Sequence, residues 1–578
     1  MLVEKLNRFE RFLFDALALG LVLFYSYSAV VEPAATQYHR GVYVIITYLL
    51  VFLVYQSKWG GLAGRAWDYF LMALSIGSLG YWILNFEAIN YRAGAETELD
   101  TWIAMAGVLV GVEVARRVVG SVFVIIGAVM LVYGVFGDSS LIPYDLQHAG
   151  DTFPSLCVSI FYKSDGVFGI MANVLATYII LFVIFGAYLE KSGAQRFFID
   201  FPLAAVGHKI GGPAKVSVIA SGLFGSISGS AIANTVSTGS FTIPMMKKAG
   251  FKPHVAGGIE PAASIGGMFM PPIMGAGGFI MAELTGLPYS QIMLVAIFPA
   301  LMYFFSVFVM VHYHAKKYNI VGEKSDKSAS EILRKQWFYV LPLVVITIFM
   351  LYGYSPGYSA ILGIAACIVI SWVRKETRIG PRQFLEGARA GAEASLKIGA
   401  TVGVIGIIIG VLTYSGLVLT FADIVIEAAD GKLWLTILFI ALASLILGMG
   451  VPVTAAYLIT AVVAVPALTE LGINPIAAHM IVYWLSQDSN ITPPVCIAAF
   501  AGATIAKANM WATAWVAFKF AKFLYLAPFI FGYVPAFSLD GSATDIMITF
   551  VLVFFGTWFY SWLLSGIWLK KPATAKAG

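Results

Sequence analysis

Charge is what this chain has least of. Asp, Glu, Lys and Arg make up 12% of its 578 residues, against roughly 25% in soluble globular domains, and no hydrophilic stretch is long enough to fold as a domain in water. The net charge of +5 is spread over short loops, so it reads as orientation bias rather than as a face for nucleic acid. Three cysteines, Cys157, Cys367 and Cys496, lie in or beside apolar segments without the spacing of a disulfide framework or a metal cluster, and they read as packing residues. HExxH, GxSxG and the phosphate-binding P-loop do not occur in a usable context, which removes metalloprotease, serine-hydrolase and ATP-hydrolysing chemistry by those routes. No enzyme, no catalytic residue and no resident cofactor or metal is expected.

What fills the chain instead is apolar. Hydrophobic residues account for 60% of it, and runs of roughly 17 to 25 apolar residues, the length that crosses hydrocarbon, recur from end to end. The expectation is an all-α polytopic membrane protein in contact with lipid, with about fourteen full spans. The run 12–31 follows Lys5, Arg8 and Arg11 as a signal peptide would. It is long and is not followed by a small-residue cleavage site, so it predicts a retained helix. Lys58, Arg65, Arg116 and Arg117 mark cytoplasmic loops, and Glu87, Glu96, Glu98 and Asp100 mark the opposite side. The N-terminus is then cytoplasmic, and Lys570 and Lys571 place the C-terminus there too. His312 and His314, beside Lys316 and Lys317 at a span end, read as interfacial rather than as metal ligands.

One stretch occurs twice. At a fixed offset of 222 residues, as from Pro244 to Pro466, Gly250 meets Gly472, Pro253 meets Pro475, Ser264 meets Ser486, and Pro271-Pro272 meets Pro493-Pro494. Apolar segments interrupted by Gly and Pro at corresponding places point to a transporter site built from broken helices. Lys247, Lys248 and Lys252 correspond to Thr469, Glu470 and Asn474. A basic flank in one copy and not in the other predicts an inverted repeat, the copies entering from opposite sides.

The expected organisation follows. Residues 1–117 form a four-helix bundle and 118–168 a connecting span with a periplasmic segment. Residues 169–312 form the first repeat, with a re-entrant hairpin at 215–245 and a broken helix at 254–283. Residues 313–397 add scaffold helices and a cytoplasmic amphipathic helix. Residues 398–537 form the second repeat, with a hairpin at 434–466 and a broken helix at 475–506, and 538–578 form a last span and tail. Lys507, Lys519 and Lys522 are expected on an interfacial helix.

A carrier of a small polar solute needs exposed backbone dipoles and small hydroxyl or amide side chains at membrane depth. In the first copy these are Ser226, Ser228, Ser230, Asn234 and Thr235 at the hairpin tip, with Ser264, Gly266 and Gly267 before the break at Pro271 and Pro272. In the second they are Gly448, Gly450, Pro452 and Thr454 at the tip. Ser486, Gln487, Asp488, Ser489, Asn490 and Thr492 then precede the break at Pro493 and Pro494. Small residues also let helices pack closely, so the weight rests on the constellation and its repetition. Asp488 and Glu260 align with Gly266 and Val482. As ionisable groups within a membrane they are candidate proton or cation carriers.

The segments SGSAIANTVSTGSFTIPMMKKAGFKP, EPAASIGGMFMPPIMGA and SQDSNITPPV resemble the large membrane subunit of tripartite ATP-independent periplasmic (TRAP) transporters of the TAXI branch, with a small four-helix subunit fused ahead of it. The resemblance implies a multi-pass protein of a bacterial or archaeal inner membrane that works as an elevator-type secondary transporter. It implies coupling to a Na⁺ or H⁺ gradient, and a periplasmic TAXI-type binding protein that delivers a small organic anion, a dicarboxylate, keto acid or amino acid. It places the coupling ion at the hairpin tips and the segments before each Pro-Pro. No obvious intramembrane Arg stands ready to clamp a carboxylate, which leaves that task to helix ends and hydroxyls. A binding-protein-independent dicarboxylate carrier of related architecture is the alternative reading.

Overall fold

Backbone amides immersed in hydrocarbon must bond within their own segment, which drives apolar runs of this length into helices. The computed structural model describes residues 2–325 and 327–568, and among them the only β pairing is an isolated bridge between Ile210 and Val321. Among the described residues nine helices are long and apolar enough to cross a membrane, and shorter apolar helices accompany them. This is the architecture of a polytopic membrane protein. Lys570 and Lys571, on which the expected side of the C-terminus rests, lie outside the described residues.

The first group is α1 (Arg8–Val30), α2 (Thr36–Val54), α3 (Gly61–Leu84) and α4 (Glu98–Val118). Capping boxes start α1 at Asn7 and α4 at Thr97, each meeting amide groups that would otherwise lack a partner. One end of the group is laced by buried acids: Glu10 accepts from Arg65, and Asp68 accepts from Arg117 at 2.5 Å and from Arg65 at 3.3 Å. Next come α5 (Ser121–Val135), α6 (Phe153–Tyr162), α7 (Ile170–Lys191) with one π-helical turn at Leu175–Ile179, and α8 (Ala194–Val206).

The first copy of the repeat is a helical hairpin followed by a gapped helix. Helices α9 (Gly212–Ser228) and α10 (Ala231–Lys248) turn at Gly229, whose φ of 60° suits a residue without a side chain, and Ser230 caps the return. Then α11 (Pro253–Gly266) stops, 267–274 is irregular, and α12 (Gly275–Thr285) restarts before the long α13 (Tyr289–Lys317). Helices α14 (Leu341–Leu351), α15 (Pro356–Ser371), α16 (Pro381–Gly399), α17 (Val402–Ser415) and α18 (Leu417–Ala428) lead to the second copy. There the hairpin is α19 (Leu433–Leu447) and α20 (Val453–Glu470), and the gapped helix is α21 (Pro475–Leu485), a single tight turn at Asp488–Asn490, and α22 (Ile497–Ala506). Helices α23 (Met510–Phe520), α24 (Phe523–Tyr533) and α25 (Ala543–Ser565) close the described chain.

The two gaps are built alike. Pro271-Pro272 and Pro493-Pro494 are both cis, and Met274 (φ 57°) and Cys496 (φ 33°), again 222 positions apart, both take a left-handed conformation at the helix restart. Cys496 therefore turns the backbone at the restart as well as packing in the interior. The copies also exchange partners: α11 packs on α22, while α12 packs on α21. Such reciprocal pairing is what a two-fold relation between the copies produces.

Two expectations change. The segment expected as a surface amphipathic helix is α16, and its face of Gly387, Ala388, Gly391, Ala392, Ser395 and Leu396 is buried against α7 and α1. Small side chains allow that close approach, and Arg389 pairs with Asp15 of α1 at 2.6 Å. Lys522 is not interfacial. It lies between α23 and α24, 4% exposed, and its Nζ donates to the carbonyl (3.1 Å) and hydroxyl (2.8 Å) of Ser306.

Candidate substrate and ion site

In the first copy the organising residue is Glu260, fully buried on α11. Its carboxylate accepts from Ser217 and Ser221 of α9 at 2.5 Å each, from Thr238 and Thr242 of α10, and more weakly from Ser264 at 3.4 Å. Every neighbour can donate, and a carboxylate offers about four lone-pair sites, so the group is saturated and ties three helices together. The signal was present in the sequence: Ser217/Ser221 and Thr238/Thr242 are each spaced one helical turn apart in a segment without charge.

Around it, Asn234 donates to the carbonyls of Ser221 (2.9 Å) and Ser264 (3.4 Å), which joins the hairpin tip to the end of α11. Gly267 meets Gly225 backbone to backbone. Gly266 lies against the ring of Tyr303, whose hydroxyl donates to Ala262 at 2.6 Å. Ser226 bonds within its own helix, and Ser228 and Ser230 bond within the turn. Thr235 differs: its hydroxyl is buried and has no hydrogen-bond partner.

Tyrosines span the first gap. The Tyr483 hydroxyl, from α21 of the other copy, lies 2.6 Å from the Met268 carbonyl and 2.5 Å from that of Met274, where its single proton is shared. Tyr289 reaches the carbonyls of Pro272 (2.9 Å) and Ile273 (2.6 Å). Phe269 stacks on Trp484 with ring centroids 4.1 Å apart. No sequence pattern pointed to these clamps.

The second copy is less saturated. Ser486 donates to Tyr483 O (2.7 Å), the Gln487 amide to Ser486 Oγ (3.1 Å), and the Asn490 amide to Gln487 O (3.1 Å). Thr492 pairs with Tyr525 at 2.7 Å. Three buried oxygens remain without a partner: Asp488 Oδ1, Gln487 Oε1 and Ser444 Oγ. Gly448 packs against Ser489, which brings the hairpin to the gap. Gly450 sits against Val122 of α5 instead, and among the described residues Pro452 and Thr454 make no hydrogen bond to 486–492. Pro493 is half-buried, and Pro494 is exposed.

One arginine escaped the sequence reading. Arg40, half-buried near the start of α2, donates to Phe168 O (2.8 Å) and Asn173 Oδ1 (3.2 Å), and Asn173 in turn donates to Glu283 at the end of α12 (2.7 Å). Beside it His39 bonds Thr177 at 3.0 Å.

Helices gapped inside protein in two corresponding copies, with unwound backbone and, in the second, buried oxygens left unpaired, define the class of multi-pass membrane transporters. The chain belongs to the tripartite ATP-independent periplasmic transporter, DctM component, family, whose model matches residues 106–537. It is a TRAP transporter permease. Among its relatives, the C4-dicarboxylate TRAP transporter large permease protein DctM of Pseudomonas aeruginosa is 26% identical over 400 residues, covering 68% of this chain and 90% of that protein. The 2,3-diketo-L-gulonate TRAP transporter large permease protein YiaN of Escherichia coli is 26% identical over 319 residues, covering 54% and 74%. Of solved structures, the Alcanivorax borkumensis YdaH transporter aligns at a TM-score of 0.49 and 16% identity, covering 72% of this chain and 98% of that one.

Proposed function

We propose that the protein takes up a small organic anion across the inner membrane of a bacterium or archaeon, coupled to a Na⁺ or H⁺ gradient. A periplasmic binding protein of the TAXI type hands it the substrate. Residues 1–117 act as a fused small subunit, and both termini are cytoplasmic. The hairpins α9/α10 and α19/α20 move with the gapped helices as an elevator against the remaining scaffold.

The observation that carries the reading is the contrast between the copies. Glu260 is saturated by hydroxyls, whereas Asp488, Gln487 and Ser444 present buried oxygens without partners. Unsatisfied buried acceptors are costly, and a cation or proton arriving at Asp488 relieves that cost. The names of relatives that carry C4-dicarboxylates and 2,3-diketo-L-gulonate support an organic-anion cargo.

The test is uptake into proteoliposomes with the binding protein, with Na⁺ and pH gradients imposed separately. Accumulation driven by one gradient is expected. Uptake that persists after both are collapsed sinks the proposal.

A further inference from the structure

At the end of α13 basic side chains collect, and among the described residues no carboxylate pairs with them. The His314 ring packs among Phe251, Tyr318 and Phe520, with centroids 6.2, 4.9 and 5.8 Å away. Lys252 follows Phe251 and His254 lies in the first turn of α11, Lys519 precedes Phe520 on α23, and Lys317 lies three residues on from His314 in α13, so the ring contacts bring these side chains to one place. The three helices α11, α13 and α23 are mutually packed, so the charges converge by construction of the fold.

Their donors are largely unspent. Lys317 gives one hydrogen bond, to Gly566 O at 2.8 Å. Among the described residues none of the five pairs with a carboxylate, and Glu323 is held by Lys248 at 2.8 Å. Like charges gathered at a membrane boundary repel, and a multivalent anion removes that repulsion.

The surroundings say which anion. Gly566 ends α25, whose apolar window is only 17% buried within the protein, so most of its surface is left to acyl chains. Trp568 beyond it, and Trp511 and Trp515 on α23, are more than half exposed, the placement of aromatics at the headgroup level. A free anion would use the charges but not this apolar wall.

We propose that Lys252, His254, His314, Lys317 and Lys519 form a binding site for the phosphodiester headgroup of an anionic phospholipid whose chains lie along α25. The site joins α11, the leading half of the first gapped helix, to α13 and α23. It does not depend on the identity of the transported substrate.

Thermal unfolding of the full chain in neutral detergent tests the proposal, titrated separately with phosphatidylglycerol, phosphatidylcholine and inorganic phosphate. Phosphatidylglycerol alone is expected to raise Tm by several degrees, saturably. The double variant K317Q/K519Q should need roughly tenfold more lipid for half of that shift, and so should K252Q/H254Q, which spares the Lys317 contact with Gly566. K375Q/R378Q, altered at a different basic stretch, should titrate like the wild type. Equal titration of wild type and both cluster variants overturns the site. A shift reproduced in full by phosphatidylcholine or by inorganic phosphate overturns the assignment to an anionic lipid.

Discussion

Gly225 and Gly267 touch through bare backbone: a Cβ on Gly267 would stand 2.4 Å from Cα of Gly225, and one on Gly225 would stand 2.6 Å from the Asn234 amide nitrogen. At Gly267 every near neighbour is backbone, which cannot swing aside as a side-chain end can. Gly267→Ala should therefore lower stability by about 1–3 kcal/mol through overpacking. The measurement is thermal or denaturant unfolding in detergent, with Gly20→Ala, which meets nothing within 4 Å, as the unaffected reference.

Glu260 should tolerate substitution poorly. In Glu260→Gln one carboxylate oxygen becomes an NH₂ that faces hydroxyls already oriented to donate. A loss of about 1–3 kcal/mol is expected, with reduced yield of folded protein. An unchanged unfolding midpoint would contradict the saturated arrangement.

Asp488→Asn should behave in the opposite way. The Asp488 Oδ1 has no partner to lose, so the fold should keep its midpoint, while uptake loses its dependence on the driving ion or falls more than tenfold. The comparison is between transport under imposed Na⁺ and pH gradients and unfolding of the same preparation. Gradient-dependent uptake indistinguishable from wild type would remove Asp488 from coupling.

Tyr483→Phe removes the hydroxyl shared by Met268 O and Met274 O and keeps the ring against Phe269 and Tyr457. Leaving buried carbonyls short of a donor should cost about 1–3 kcal/mol. It should also loosen the first gap, read as faster hydrogen exchange over 267–274 than in the wild type.

At the loop end of α4 the Arg92 guanidinium, with Thr97 and Tyr81 also donating, holds the Asp100 carboxyl well below the usual aspartate range. The ionised form is thus favoured by folding. Its contribution is complete above about pH 4 and is lost as pH falls through the usual value toward the lowered one. Asp100→Asn should lower Tm at neutral pH and flatten the decline of Tm on acidification, followed by calorimetry.

The gaps and hairpins were legible because their cause is local. Paired prolines cannot continue a helix, Gly250 and Gly472 end one, and a charge-free, Ser-rich stretch between Lys215 and Lys247 does not read as a lipid-facing span. Contacts between distant segments were not legible. Nothing near Tyr483 says that it reaches across 215 positions to Met268. Lys522 read as interfacial because charge at a helix end usually is, yet the Ser306 hydroxyl and carbonyl receive it in the interior. Arg40 was overlooked because its partners, Phe168 and Asn173, lie more than a hundred residues away.

The polar seam between the first four helices and the rest has a consequence for assembly. His39 with Thr177, Arg40 with Asn173, and Asp15 with Arg389 fix the register of one group against the other. Here Val119 and Gly120 are all that lies between α4 and α5, and a linker that short holds the partners at an effective concentration on the order of millimolar or higher. The seam therefore closes as an intramolecular contact, and the loss of translational freedom that a contact between two molecules would carry does not arise.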